Sequence, residues 1–246
     1  MQTREYEQLY ATEDEHWWFR ALRLFVGTLL GPRPGADAWA LDVGCGTGAL
    51  GAQLKDWGYQ FTGLDYSRDG LAFARQRGLA RLVSGSANQL PFKESFDLIT
   101  CIDVLEVDAV TPAEAMASIR TALKPGGRAL VLAAAFQWLY SQHDLAVNSI
   151  HRFSRAELAD LARASGLRVR RASYLFAFLF PLTATWKLIK RAVPGGFDEA
   201  GPSDVSSPPP LVNTLLYWIC RVENWLLGYV NLPFGTSVVV LVERAA

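Results

Sequence analysis

Cysteine, histidine and methionine are all scarce in this chain of 246 residues, which holds three, three and two of them. Cys45, Cys101 and Cys220 are too few and too scattered for a disulfide framework or a zinc site, which fits a reducing, cytoplasmic compartment. No cluster of His, Asp or Cys has ligand spacing, so no metal is expected. Charge of one sign is missing too: 24 Lys and Arg balance 24 Asp and Glu. That balance argues against nucleic acid as a partner, because phosphate binding wants a net basic surface. The N-terminal run MQTREYEQLYATEDEHWW has no apolar core, and secretion is therefore not expected. The apolar stretch SYLFAFLFPLTATW (173–186) falls short of the about 20 residues that cross a bilayer. It also contains Pro181 and is followed by Lys187, Lys190 and Arg191.

Hydrophobic residues, by contrast, make up 50% of the chain, ample for a core and more than a soluble surface needs. Their spacing alternates between two kinds. Residues 4–30 read as helix and end at GPRPG; Trp39–Gly44, YQFTGLD (59–65), ARLVSG, SFDLITCID (95–103) and RALVLAAA read as strands with helical spacing between them. TPAE at 111–114 and SRAE at 154–157 both have the form of a capping box that starts a helix. A strand from Leu167 towards Leu175 and a last one, TSVVVLVER (236–244), complete the pattern. Short-spaced alternation of this kind implies an α/β protein with a doubly wound sheet.

ALDVGCGTGALG (40–51) then reads as a strand, a glycine-rich turn and a helix, the arrangement that holds a nucleotide-like cofactor. Gly44, Gly46 and Ala49 fit the dinucleotide pattern, while Gly44, Gly46 and Gly48 behind Asp42 fit equally well a cradle for S-adenosylmethionine. Asp65 ends the second strand, where a carboxylate can accept from ribose hydroxyls. After the fifth strand, however, too little sheet-like chain remains for the second half-site of a dehydrogenase.

In that order, LDVGCGTG, GLDYS, SANQLPFKESFDLITCIDVLE and LKPGG resemble the class I S-adenosylmethionine-dependent methyltransferases. The resemblance implies a doubly wound seven-stranded sheet with an antiparallel last strand. It implies S-adenosylmethionine as cofactor and S-adenosylhomocysteine as product. Gly44, Cys45 and Gly46 would pass close to the methionine part, and Asp42 would orient that loop or hold the ammonium group through water. Asp65 would hold the ribose, with Tyr66 and Ser67 beside the adenine. Ser86 stands where the family usually has an acid for the adenine amino group, leaving Ser86 or Asn88 to substitute with Ala87 between them, and Ile102 and Asp103 lie next to the methyl exit. Glu106 falls where the family often writes Glu-His, with Val107 in place of the histidine.

DEHWWFRALRLFV (14–26), YSQHDLAVNSIHRFSRAEL (140–158), NTLLYWICRVENWLL (213–227) and LPFGTSVVVLVER (232–244) are similar to a group of bacterial methyltransferases, several of them associated with lipid or polysaccharide pathways. Leu22 stands where that group has an arginine, leaving Arg20 or Arg23 to meet the cofactor carboxylate. The implied organisation is an N-terminal helical lid (1–34) carrying Trp17, Trp18 and Phe19, a core (35–180), a helical insertion (181–232) and a last core strand (233–246). Leu211, Leu215, Trp218, Val222, Trp225 and Tyr229 form one stripe of a helix in the insertion. The stripe reads as a cap that buries Trp218 and Trp225 at the pocket mouth, as a membrane-surface contact, or as a dimer face. PGGFDEAGPSDVSSPPP (194–210) reads as a polar loop.

The expected reaction is methyl transfer to a small, apolar or lipid-like acceptor by a monomer or homodimer, cytoplasmic or peripheral to the inner membrane face. For a hydroxyl acceptor the candidate base is His143, which precedes Asp144 as in the group's His-Asp pair; Tyr140 and His151 are the alternatives. A methyltransferase-fold enzyme that transfers no methyl group, for example a cyclase, a dehydrogenase, and a partner protein with a relic site are the competing readings.

Overall fold

The computed structural model describes residues 3–32, 35, 37–141, 144–145, 147–192 and 208–246. Seven strands form one sheet: β1 (Trp39–Val43), β2 (Gln60–Asp65), β3 (Leu82–Ser84), β4 (Phe96–Ile102), β5 (Leu123–Ala134), β6 (Leu167–Leu175) and β7 (Ser237–Arg244). Their order is β3-β2-β1-β4-β5-β7-β6, and β7 runs antiparallel to both of its neighbours. The central strands alternate small and branched apolar residues, so each feeds two cores at once. Leu41, Val43, Ile99, Cys101, Ala129 and Val131 face α5 (Pro112–Ala122) and α6 (Arg155–Ala164). Ala40, Leu98, Leu130 and Leu132 face the opposite layer, which includes α2 (Trp17–Leu30) and α3 (Ala49–Asp56). In β7, Val238, Val239, Val240 and Val242 are all buried, each contributing about 1.5–3 kcal/mol.

Three local expectations are corrected. The N-terminal helical pattern is two helices, α1 (Thr3–Thr12) and α2, separated by the turn 13–16. His16 is the N-cap of α2: its Nδ1 accepts from the Trp18 N–H at 3.3 Å. Asn213 helps to satisfy the same helix start, accepting from the Trp17 N–H and donating to the Glu15 carbonyl, both at 2.9 Å. The box at Ser154–Glu157 forms in full, but Thr111 makes no side-chain cap. Its N–H donates to Asn88 Oδ1 instead, and Pro112 supplies the helical φ at N1.

The third correction concerns the insertion. It contains α7 (Phe180–Ala192) and α8 (Pro210–Leu227), and most of the 194–210 loop lies outside the described residues. Cys220, Glu223 and Leu227 of α8 turn inward, with Leu216 and Ile219 beside them, and α8 packs along α2. Trp218 and Cys220 are two positions apart, roughly 200° around a helix, so the predicted stripe is left outside. Trp218 is 53% and Trp225 65% exposed. Glu223 decides the orientation: its buried carboxylate accepts from the Phe178 N–H at 2.9 Å and ties α8 to the turn after β6. Burial holds that carboxyl above its ordinary pKa.

Candidate functional site

The strand order reverses between β1 and β4, and a crevice opens outside the carboxyl ends of strands at such a point. The β1–α3 loop lies there. The Gly44 and Cys45 N–H groups both donate to the Leu64 carbonyl, at 2.7 and 3.0 Å, which folds the loop over the end of β2. Gly44 has φ +73°, and a Cβ there would lie 2.3 Å from Val104 Cγ2. Gly46 has φ +49°, but a Cβ there would enter open space. The space above Gly46 is a cradle that a side chain would fill. Gly44→Ala is therefore expected to cost about 2–4 kcal/mol, from left-handed strain plus overpacking. Gly46→Ala should cost only about 1–2 kcal/mol, from strain alone. Urea midpoints check the difference; equal losses would mean that Val104 yields freely.

Two buried aspartates support the loop. Asp42 accepts from Thr100 Oγ1 at 2.6 Å, and burial lifts its carboxyl from 3.8 to about 7 against that hydrogen bond. Asp65 accepts the Gly46 N–H on Oδ2 and the Ser67 N–H on Oδ1, both at 2.8 Å. Burial raises its pKa despite these amides. Ser67 caps α4 (Arg68–Gln76), and Tyr66 beside it is 58% exposed. Cys45 is buried, and a Cβ on Gly63 would meet its Sγ at 2.8 Å. Ser86 Oγ accepts from the Asn88 N–H at 3.2 Å, Ala87 is buried, and Asn88 braces Thr111.

The aromatic start of α2 packs inward. Trp18 stacks on Phe176 at 5.6 Å and Trp17 meets the same ring edge-on, inside the α2 core. Arg20 lies across the Tyr217 ring at 4.0 Å, while Arg23 donates to the Glu13 carbonyl at 3.0 Å. Residues that the sequence did not single out cover the loop. Tyr6 of α1 is buried, hydrogen-bonded to Ser67, and its ring limits Gly70. Glu13, also buried, accepts from Thr47 Oγ1 within the loop and pairs with Arg77 at 2.6 Å. The charged run TEDEH is the one sequence trace of this strap.

On the other side of the crevice, Asp103 ends β4 with φ +53°, its N–H donating to the Leu132 carbonyl at 3.0 Å. Ile102 beside it is half-buried. Glu106 is buried, with Oε1 accepting the Ala134 N–H at 2.9 Å. Asp144 and Arg152 form a buried bidentate pair at 2.8 and 3.0 Å. Tyr140 donates its hydroxyl to the Ser149 carbonyl at 2.8 Å, and His151 packs edge-on against Phe153 at 4.6 Å. His143 lies outside the described residues. Next to the end of β5, Phe136 stacks on Tyr174 at 4.8 Å and joins Trp138, Phe180 and Phe234 in a partly open aromatic wall. Among the described residues, no group of three or more His, Cys, Asp or Glu could hold a metal ion, and no helix is long and apolar enough to cross a membrane.

Residues 41–131 match the family described as "Methyltransferase domain". The chain is 28% identical to a ubiquinone biosynthesis O-methyltransferase of Aeromonas salmonicida, over 61% of this chain and 70% of that protein. It is 35% identical to the protein of the same name in Hydrogenovibrio crunogenus, over 35% of this chain and 39% of that one. Among solved structures it is similar to the geranyl diphosphate C-methyltransferase of Streptomyces coelicolor A3(2), determined with S-adenosyl-L-homocysteine. The TM-score is 0.59 at 16% identity, covering 92% of this chain and 75% of that one.

Proposed function

Because the chain carries a class I S-adenosylmethionine-dependent methyltransferase domain, we propose that it methylates a hydroxyl on an aromatic ring bearing an apolar tail, taken from a membrane surface. The O-methyltransferases of ubiquinone biosynthesis named above support the choice of oxygen and of a ring. The observation that carries the lipid-like acceptor is the outer face of the insertion. Leu182, Trp186 and Ile189 of α7 and Leu215, Trp218 and Trp225 of α8 are all exposed. The charged residues of these two helices are Lys187, Lys190, Arg191, Arg221 and Glu223, and the single acid is buried. Arg221 lies over the Trp218 ring at 4.3 Å. Trp218, Arg221 and Trp225 share one helical face, and aromatic and cationic side chains so placed suit an anionic bilayer interface. Phe180 at the start of α7 also belongs to the aromatic wall, so the exposed face runs on into the crevice.

The residues present fit S-adenosylmethionine. In this reading the space over Gly46 admits the methionine part, Asp42 orients the loop, and Asp65 turns its remaining lone pairs to the ribose. Tyr66, Ser67, Ser86, Ala87 and Asn88 border the adenine. The strap of Tyr6 and Glu13 excludes water, and Arg23 takes the carboxylate-side position because its hydrogen bond to the Glu13 carbonyl places it beside the strap, whereas Arg20 lies over Tyr217 of α8. When bound, the cofactor supplies an electrophilic methyl group. The chain contributes positioning and a dry crevice.

Vesicle sedimentation tests the reading. Wild type should bind phosphatidylglycerol vesicles, and Trp218→Ser with Trp225→Ser should weaken that binding about tenfold or more, given the apolar area of two tryptophans. The same pair should raise KM for an alkyl-tailed catechol presented in those vesicles, while calorimetric affinity for S-adenosylmethionine holds. A wild-type protein that ignores vesicles but dimerises through this face would refute the membrane reading.

A further inference from the structure

We propose that Asp103 and Glu106 form a proton-sharing carboxyl pair, in which Asp103 is the catalytic base and Glu106 the positioning residue that donates to it. The proposal rests on the hydroxyl-bearing acceptor of the preceding section. Asp103 stands at the open end of β4, in a left-handed backbone conformation that aims a non-glycine residue out of the strand. Three positions on, Glu106 is anchored from two sides: Oε1 accepts the Ala134 N–H at 2.9 Å, and its carbonyl accepts the Ile150 N–H at 2.8 Å. Its Oε2 is fully buried and meets no N–H or O–H donor among the described residues. Asp103 is its hydrogen-bonding neighbour. Two carboxylates can hydrogen-bond to each other only if one of them carries a proton.

The surroundings decide which one. Arg152, the cation that faces the pair, is already neutralised by Asp144. Lys187 is held by the Leu139 carbonyl and Ser141 Oγ, and Tyr140 by the Ser149 carbonyl. Asp42 and the buried, un-ionised Cys101 stand behind on β1 and β4. Among the described residues no unpaired cation stands there to stabilise a second negative charge. Burial, and then the Asp103 charge, hold the Glu106 carboxyl well above the usual range. Asp103, by contrast, is exposed at the crevice, where water can solvate its charge, and the Glu106 hydrogen bond and Arg152 favour its ionised form. At neutral pH Glu106 therefore keeps the proton and Asp103 is ionised, facing the crevice.

The step balances. The acceptor O–H bond breaks and its proton passes to Asp103 as the oxygen takes the methyl group. The electron pair of the methyl–sulfur bond stays on sulfur. A carboxylate and a sulfonium give a carboxylic acid and a neutral thioether.

Side-chain carboxyl 13C NMR of the full chain, without acceptor, reads the pair directly. Two coupled titrations are expected, the lower one mainly that of Asp103 and the upper one mainly that of the buried Glu106. Glu106→Gln should leave a single step for Asp103. Both carboxyls fully ionised below pH 5 would overturn the pair. Steady-state rates on the alkyl-tailed catechol test the base. Asp103→Asn should cut kcat about a hundredfold or more, with calorimetric cofactor affinity within about threefold. Glu106→Gln keeps an N–H donor and should keep the acidic limb of the pH–rate profile. Glu106→Leu removes the donor and should move that limb up by about one pH unit. A limb that stays put in Glu106→Leu, or an Asp103→Asn rate within about threefold of wild type, would overturn the assignment of roles. If wild type leaves the catechol untouched while both NMR titrations appear, the acceptor reading fails and the pair stands.

Discussion

Replacing Asp65 by alanine is expected to weaken S-adenosylmethionine binding about a hundredfold, a loss of about 2.7 kcal/mol. Both carboxylate oxygens already hold backbone amides, those of Gly46 and Ser67, so the side chain fastens the glycine loop to the end of β2. Alanine removes the acceptors proposed for the ribose and strands those amides. Each buried group left unpaired costs about 1–3 kcal/mol. Asp65→Asn keeps one acceptor oxygen and should lose about tenfold. Isothermal titration of S-adenosylmethionine checks both variants, with circular dichroism to show that the sheet persists. Affinity unchanged in Asp65→Ala would mean that the cofactor does not lie over Gly46.

The glycine loop and the acids that flank it were legible because local chemistry sets them. A left-handed turn needs glycine, and a carboxylate at a strand end needs only its own strand. The antiparallel last strand was expected from the resemblance, but not its place between β5 and β6, which depends on how sequence-distant strands pair. The insertion misled for a clear reason. Its helix carries two apolar faces, and periodicity favours the larger, with two tryptophans. The face that turns inward is the one whose glutamate meets the Phe178 amide after β6, 45 positions away. The break before Trp17 was hidden in the same way, since Asn213 of α8 provides for it. Asp103 and Glu106 could be read as motif positions, but their shared proton could not. It depends on the Ala134 amide of β5 and on the burial of both neighbouring strands.

Substituting Asp42 by asparagine should make the protein more stable above pH 7 while weakening its hold on the cofactor. The carboxyl is lifted from 3.8 to about 7 because burial disfavours its charge more than the Thr100 hydroxyl favours it. Below about pH 4 the group is protonated whether the chain is folded or unfolded, and it carries no penalty. Between about pH 4 and 7 the unfolded chain has released a proton that the folded state retains, so stability falls as pH rises, by about 1.4 kcal/mol per unit. Above about pH 7 the loss levels off, at up to about 4 kcal/mol. Asparagine cannot ionise and still offers an oxygen to Thr100. The difference in unfolding free energy between Asp42→Asn and wild type should therefore climb from pH 5 to about 7 and then flatten. Taking the difference removes Glu106 and Asp65, which are lifted in both proteins. Urea unfolding at intervals from pH 5 to 8 gives the curve, and a flat difference would mean that Asp42 is already ionised at pH 5 in the folded state. In the proposed reading, a charge beneath the glycine loop would serve the ammonium group of the cofactor above it.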